Sequence, residues 1–519
     1  MKKSAKITAA ILSVGLVASV FSGCGKKNVD SKTSDGKYHI TIANSVAISD
    51  NSPVEKYLEN KYNVEIETKG FAANYYDKLA TMFSTKDIPD VMFINDISNW
   101  EPLVSQGILA PIDINTIKEA APNHYKHIEE KNSKLWEVGK KNDTLYAIPK
   151  SMGDEYNTVC VWNNNWLKAL GIDKVPETLD EFEAAFDKIK NGDPDKNGKS
   201  DTYPISGIGG AYYRQFDWVF GAYGVMPEQW TLENGKVVNG TVSNKAKEAL
   251  EKLHDWYEKG YINPEFLTDT QDTLMKRFMQ QGVGLVNTSL DNVTDLTPQG
   301  RANLASGPEG YADRIAYGPL PSGHNGDRGD WQWGPLSNFV CFGAQLKDDV
   351  EKQKIILKIL DDLNYDEETA LMAAYGEKGK SYELYDESAG KSSGIKQLGN
   401  YGKDANANAE MGIGFFNLLK CGAWADSSIS MQYQNEKFTE EQKKYANFGK
   451  YKDLLMRVNL PSTLTLAPTL QTLKTTAYSE FINGKRSLSD WDKFVDEYMS
   501  SGGKTLRDEA QNYYESVIK

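Results

Sequence analysis

The sequence predicts an α/β fold divided into more than one domain. Two observations carry this: strand-like and helix-like stretches alternate from residue 37 onward, and 519 residues exceed what one hydrophobic core usually serves. Residues 37–43 (KYHITIA) alternate as a strand. A helix follows, with Ser52 as its cap, Pro53 at its first position and Val54, Tyr57, Leu58 and Tyr62 at helical spacing. Residues 64–67 form a second strand, 75–83 a second helix, and 90–95 a third strand with a continuous apolar centre. Helical crossovers between strands imply a largely parallel, three-layer sheet, whose ligands bind beyond the carboxyl ends of its strands. Asp96, Asn99 and Trp100 follow such an end, which makes Trp100 a candidate ligand contact.

Farther along, Thr178-Leu-Asp-Glu181 is a capping box, with Leu179, Phe182, Phe186 and Ile189 as the apolar stripe behind it. Asn234-Gly235 is a two-residue hairpin signal, and residues 245–257 and 350–363 read as amphipathic helices. His124 and His127 lie at i, i+3 in a Lys/Glu-rich helix and read as a solvated face rather than a zinc pair.

The first residues predict where the chain works. Lys2, Lys3 and Lys6 precede a weakly apolar run over residues 7–21, which ends in Ser22-Gly23-Cys24. The run is shorter than the ~18 to 20 residues a membrane-spanning helix needs, so it reads as an export signal. Small residues leading into a cysteine match the cleavage site of bacterial lipoproteins. Residues 1–23 are therefore expected to be a lipoprotein signal peptide, Cys24 the lipid-bearing residue, and residues 24–36 a flexible polar tether. The body would sit on the extracellular face of the cell membrane, held by acyl chains only. Plain secretion with Cys24 unmodified is the alternative.

The formal charge is −13, and about −16 without residues 1–23, which carry three lysines and no acid. With no basic cluster free of interleaved acids, nucleic acid is excluded as a partner. Cys160, Cys341 and Cys421 are scattered in apolar surroundings and read as buried free thiols.

Asp193-Pro-Asp195-Lys-Asn197-Gly198-Lys199-Ser-Asp201 reproduces most of an EF-hand calcium loop. Alternate oxygens converge on a hard cation, Gly198 permits the sharp turn, the Lys199 carbonyl supplies a further ligand and Asp201 closes the loop. Pro204 stands where the bidentate Glu belongs, so Thr202 or a distant carboxylate must complete the shell. The expected cofactor is one structural calcium ion.

Aromatic faces beside polar side chains suit flat, amphipathic ligands. Three stretches supply both: residues 210–218 with Tyr213, Arg214, Asp217 and Trp218, residues 329–334 with Trp331 and Trp333, and residues 422–426 with Trp424. Trp136, Trp162, Trp256 and Trp491 lie on regular stripes and are assigned to core.

Several segments in order resemble the extracellular solute-binding proteins of carbohydrate ABC transporters, family 1. These are residues 82–91 (MFSTKDIPDV), 107–112 (GILAPI), 145–149 (LYAIP), 164–172 (NNWLKALGI) with Pro176 and Glu181-Phe182, 260–265 (GYINPE) and 278–284 (FMQQGVG). Residues 375–382 (YGEKGKSY), 481–485 (FINGK) and 487–491 (SLSDW) resemble its large oligosaccharide-binding subgroup, some of whose members carry a similar calcium loop. The resemblance implies a two-lobed, periplasmic-binding-protein-like (Venus-flytrap) fold whose hinge the chain crosses more than once. It places an N-lobe at residues 37–153 and 321–370, and a C-lobe with the calcium loop at residues 154–320 and 371–519. Crossings are expected near residues 151–157, 318–321 and 366–375. It further implies a monomer that captures an oligosaccharide and delivers it to ABC permease subunits, without catalysis. A surface polysaccharide-binding adhesin and a secreted carbohydrate-active enzyme are the alternatives. Against the enzyme, the chain lacks His-Glu-x-x-His, a phosphate loop and Cys-x-x-Cys.

Overall fold

The computed structural model describes residues 32–95, 97–151, 158–208, 216–294, 314–331, 336–416, 429–445 and 450–519. Residues 32–36, placed at the end of the expected tether, fold back as a turn: the Thr33 amide donates to the Lys37 carbonyl, and Gly36 adopts φ +83°. Strand β1 (Tyr38–Asn44) follows, then helix α1 (Pro53–Tyr62), β2 (Val64–Gly70), α2 (Tyr75–Ser84) and β3 (Val91–Ile94). Helix α1 starts as its sequence dictates, with Pro at the first turn and the Ser52 hydroxyl accepting from the Glu55 amide at 3.3 Å. It ends at Asn63 in the left-handed region, φ 51°.

Helix α3 (Pro122–Asn132) and strand β4 (Ala147–Ser151) complete this first part of the chain. The face of α3 that carries His124 and His127 is buried, not solvated: the two residues are 3% and 4% exposed. The His124 amide donates to Asp361 at 2.8 Å, and His127 Nε2 shares a hydrogen bond with the Ser151 hydroxyl. Burial, reinforced by His127 and Lys150, lowers the His124 pKa to about 3, so its ring is neutral.

Strand β5 (Thr158–Asn163) opens the second part, followed by α4 (Leu179–Asn191), the hairpin β6 (Trp230–Glu233) and β7 (Lys236–Asn239), and α5 (Asn244–Glu258). The capping box of α4 is fully formed, Thr178 bonding the Glu181 amide and Glu181 the Thr178 amide. Thr178→Ala should lower unfolding free energy by about 1 kcal/mol, readable as a lower midpoint in urea with unchanged slope. Strands β8 (Leu285–Ser289) and β9 (Ile315–Gly318) flank β5, both antiparallel to it. After β10 (Asp330–Trp331) come β11 (Leu336–Phe342), α6 (Val350–Tyr365) and α7 (Glu367–Tyr375); β12 (Lys450–Tyr451) and the long α8 (Thr463–Ile482) lie near the end.

The first sheet has the order β2-β1-β3-β11-β4. Strand β1 is parallel to β2 and β3, as the helical crossovers require, whereas β11 runs antiparallel to both β3 and β4. The sheet is therefore mixed rather than largely parallel, because β11 enters it from the second part of the chain and not through a local βαβ crossover. One hydrophobic core surrounds this sheet and includes Ile42, Leu79, Phe93, Trp100 and Phe339. A second core gathers Trp162, Phe182, Phe186, Trp218, Trp256, Trp491 and Phe494. Trp136, Trp162, Trp256 and Trp491 are all 5% exposed or less. Cys160 and Cys341 are buried free thiols; Cys421 lies outside the described residues.

The chain passes from the first core to the second between β4 and β5. The return was expected near residues 318–321, but the chain stays with the second core for ten residues more. Leu320 packs there, Ser322 bridges to Thr178, and Arg328 donates to the Glu177 carbonyl at 2.9 Å. The return therefore falls between β10 and β11. Nor does the chain leave at residues 366–375: Lys61 on α1 pairs with Asp366 at 2.5 Å and bonds Thr369 at 2.7 Å, which fixes α7 to the first core. Residues 376–416 follow it there, with Asn44 donating to the Phe415 carbonyl and Phe415 and Phe416 inside the first core. The next passage lies between Tyr433, packed against Leu371 and Tyr382, and Phe438, packed with Val159 and Leu274. Residues 322–331 thus pack with the second core, and 371–433, where described, with the first, the reverse of the division expected for both segments.

Candidate functional site

Strand β10 stands where the chain passes between the cores. Its Asp330 is 4% exposed and accepts from the Thr158 hydroxyl at 2.6 Å and from the Trp331 amide at 2.7 Å. Thr158 opens β5, so one carboxylate ties the start of the outgoing strand to the end of the returning one. Parallel pairing of Trp331 with Tyr451 fixes the other side of β10. The backbone behind it packs so closely that a Cβ on Gly221 would lie 1.8 Å from the Gly329 carbonyl oxygen; glycine is required there. The Tyr451 hydroxyl donates to the Gly221 carbonyl at 2.8 Å.

Trp331 forms part of the wall of a cavity of about 540 Å³, within the range of small-molecule sites. The hairpin β6–β7 contributes Trp230 and Asn239, α8 contributes Leu470, Gln471 and Lys474, and residues 453–460 form a third wall. Asp453 organises that wall. One of its oxygens accepts from the Trp230 amide at 2.8 Å, the other from the Leu455 and Arg457 amides at 3.0 and 2.9 Å. These bonds hold a turn in which Met456 and Arg457 both adopt left-handed φ, 54° and 59°. Two consecutive non-glycine residues in that region are strained, and the Asp453 acceptors offset the cost. Burial raises the Asp453 pKa, while those amides and the Arg457 charge oppose the rise.

Lys474 is the one cation within residues 463–482 and is 3% exposed. It pairs with Glu228. Burial brings its pKa down to about 7, against the pull of Asp217. At the start of α8, Ser462 donates through its amide and hydroxyl to Glu509 at 3.0 and 2.6 Å, which fixes the helix that presents Lys474. The arrangement offers flat aromatic faces beside hydrogen-bonding groups.

Of the residues expected at a ligand site, Trp331 lines this cavity. Trp100 and Trp218 are each 1% exposed. Trp100 packs on Phe339 in the first core, its ring centroid 6.0 Å away; Trp218 packs on Phe182 at 5.4 Å and Trp256 at 5.8 Å in the second. Neither presents a ring face to the cavity. Tyr213, Arg214, Trp333, Trp424 and Cys24 lie outside the described residues, as does Asp96. Asp217, noted in the first aromatic stretch, does line the cavity. Glu228, Arg457, Asp453 and Lys474 escaped sequence reasoning. Lys474 alone had a signal: a lysine in a Thr/Leu-rich helix with no acid three or four residues away.

The calcium-type loop closes on itself. Asn197 Nδ2 donates to Asp195 at 2.8 Å and to Asp201 at 3.0 Å, and the Gly198 amide donates to Asp193 at 3.0 Å with Gly198 at φ +74°. Lys199 takes part through its amide, which donates to Asn197 Oδ1 at 2.7 Å. Burial raises the Asp195 pKa, and the nearby Asp193 and Asp201 raise it further. Thr202 is turned away, donating to the Ile189 carbonyl at 3.2 Å, so it does not replace the missing bidentate ligand. Among the described residues no group of three or more His, Cys, Asp or Glu side chains is assembled as a metal shell, and no helix is long and apolar enough to cross a membrane.

Comparison with known proteins agrees with this architecture. Lipoprotein LipO of Bacillus subtilis (strain 168) is 24% identical over 521 residues, covering 97% of this chain and 98% of its own. Among solved structures, an HMO-binding ABC-transporter-associated solute-binding protein from Bifidobacterium longum infantis aligns with a TM-score of 0.69 at 18% identity, over 93% of this chain and 99% of that one. An EF-hand mutant of the Streptococcus pneumoniae ABC-transporter substrate-binding protein FusA, in complex with fructo-nystose, aligns with a TM-score of 0.66 at 19% identity, over 92% and 99%. The fold is thus the two-lobed α/β fold of solute-binding proteins. The family model described as bacterial extracellular solute-binding protein matches residues 43–338, more than half of the sequence, and the chain belongs to that family.

Proposed function

We propose that this protein is the oligosaccharide-capturing component of an ABC importer, lipid-anchored through Cys24 outside the cell and working as a monomer that hands its ligand to permease subunits. The observation that carries the reading is the position of the cavity: its wall includes Trp331, the last described residue before the chain returns to the first core. A ring stacked on Trp331 and Trp230 would meet the second lobe first and the first lobe only on closure. Contacts made only in the closed state are what shift a hinge equilibrium. Named relatives support the ligand class, since FusA is solved with fructo-nystose and the Bifidobacterium protein is described as HMO-binding. Saturating oligosaccharide should lower the radius of gyration in small-angle scattering; an unchanged radius with bound sugar would favour an adhesin that does not close.

The calcium loop belongs to the same proposal. Asp193, Asp195, Asn197 and Asp201 are the right hard oxygen donors for calcium, with the Lys199 carbonyl as the fifth, and the named EF-hand of FusA supports the assignment. Bound calcium would neutralise the mutual repulsion of these carboxylates and stiffen the turn after α4. Without a bidentate acid the affinity should fall in the ~10⁻⁴ to 10⁻³ M range of extracellular modules. At ~100 times the dissociation constant, calcium should add about 2.7 kcal/mol of stability. Excess chelator should therefore lower the melting temperature by several degrees, and Asp193→Ala should abolish the difference.

A further inference from the structure

We propose that the cavity selects uncharged oligosaccharides and rejects those carrying carboxylates, and that Glu228 and Asp217 set this preference; the inference rests on the oligosaccharide reading above. The cavity wall carries five acidic or basic side chains: Asp217, Glu228 and Asp453 against Arg457 and Lys474. Each cation already acts on an acid of the same wall. Lys474 is in ion-pair contact with Glu228, and Asp217 favours its charged form. The Arg457 charge acts on Asp453, whose oxygens are already taken by three backbone amides. The wall therefore holds three acids to two bases.

A uronate entering this space would have two routes, both unfavourable. It would either face the Glu228 and Asp217 carboxylates, or draw a cation from the acid it serves, Lys474 from Glu228 or Arg457 from the buried Asp453, and leave that carboxylate without its counter-charge. A neutral sugar meets neither cost. Its hydroxyl hydrogens suit carboxylate oxygens, which accept and never donate when ionised, while Trp230 and Trp331 accept its ring faces. Lys474, only 3% exposed, thus acts as an internal counter-ion and not as a ligand anchor.

The test is calorimetric titration of the purified protein with neutral fructo-, xylo-, manno- and gluco-oligosaccharides of three to six units, and with oligogalacturonates and alginate oligomers of equal length. Each titration is run at 0.15 M and again at ~0.5 M salt, so that the general repulsion of an acidic protein is screened. The expected result is saturable binding of at least one neutral series, with every acidic series at least 100-fold weaker at both salt concentrations. An acidic series binding as tightly as the best neutral one overturns the proposal while leaving the oligosaccharide reading intact. Binding of neither class overturns that reading and this inference with it. Glu228→Gln and Asp217→Asn should each narrow the gap at least tenfold by improving the acidic series; a gap that stays constant in folded variants also overturns the proposal. Should a variant fail to fold, the wild-type comparison still decides.

Discussion

Trp331→Ala should weaken oligosaccharide binding about 30- to 100-fold while the melting temperature stays within a few degrees of wild type. Trp331 is only partly buried and forms part of the cavity wall, so its indole is not a keystone of either core. Its backbone position is secured without the ring, by the Asp330 carboxylate, the pairing with Tyr451 and the close approach of Gly221. What the substitution removes is a rigid aromatic face, and a tryptophan anchor at a binding site typically contributes ~2 kcal/mol or more. At about 1.4 kcal/mol per tenfold, that gives the stated loss. Titration calorimetry on wild type and variant checks it. Unchanged affinity would move the site away from this cavity.

Trp218→Ala should do the opposite, costing about 3–5 kcal/mol of stability and leaving the affinity of the folded fraction unaltered. Its indole packs on Phe182 and Trp256, and those rings pack on Trp162 and Phe186, so truncation would open a hole in an interlocked aromatic cluster that has little freedom to collapse. Urea unfolding gives the first quantity and titration at low temperature the second. Trp218 lies beside residues that read as a sugar-binding stretch. A drop in affinity without a drop in stability would restore that role.

These two tryptophans show where sequence reasoning succeeds and where it stops. The α4 capping box and the Asn234-Gly235 hairpin were legible because each is decided within four residues: Thr178 and Glu181 reach each other's amides, and Asn234 and Gly235 both adopt positive φ. The parallel start of the first sheet was legible because helical crossovers permit little else. By contrast, an aromatic residue at the end of a strand or the start of a helix reads the same whether it turns inward or outward. Trp100 and Trp218 turned inward because apolar partners from distant segments, Phe339 and Trp256, were waiting there.

The passages between the cores were misplaced for a related reason. Nothing in the composition of residues 318–331 signals that Ser322 and Arg328 will bind residues 177 and 178. The buried charges of the cavity were still less visible. Asp217, Glu228 and Lys474 are drawn from two remote parts of the chain, and a pair more than 240 residues apart leaves no spacing to read. His124 and His127 read as a solvated face from the sequence because their helix is rich in Lys and Glu. The ridge they occupy also carries Ile128, and it is that ridge which packs inward.

The most direct test of the central claim is titration of the purified protein with neutral oligosaccharides, with the sugar recovered afterwards and weighed by mass spectrometry. The expected result is saturable binding of one sugar per chain, lost in Trp331→Ala, with the sugar returned intact. Shortened sugar, or no binding across the panel, would contradict the assignment of this cavity as the capture site of a solute-binding protein.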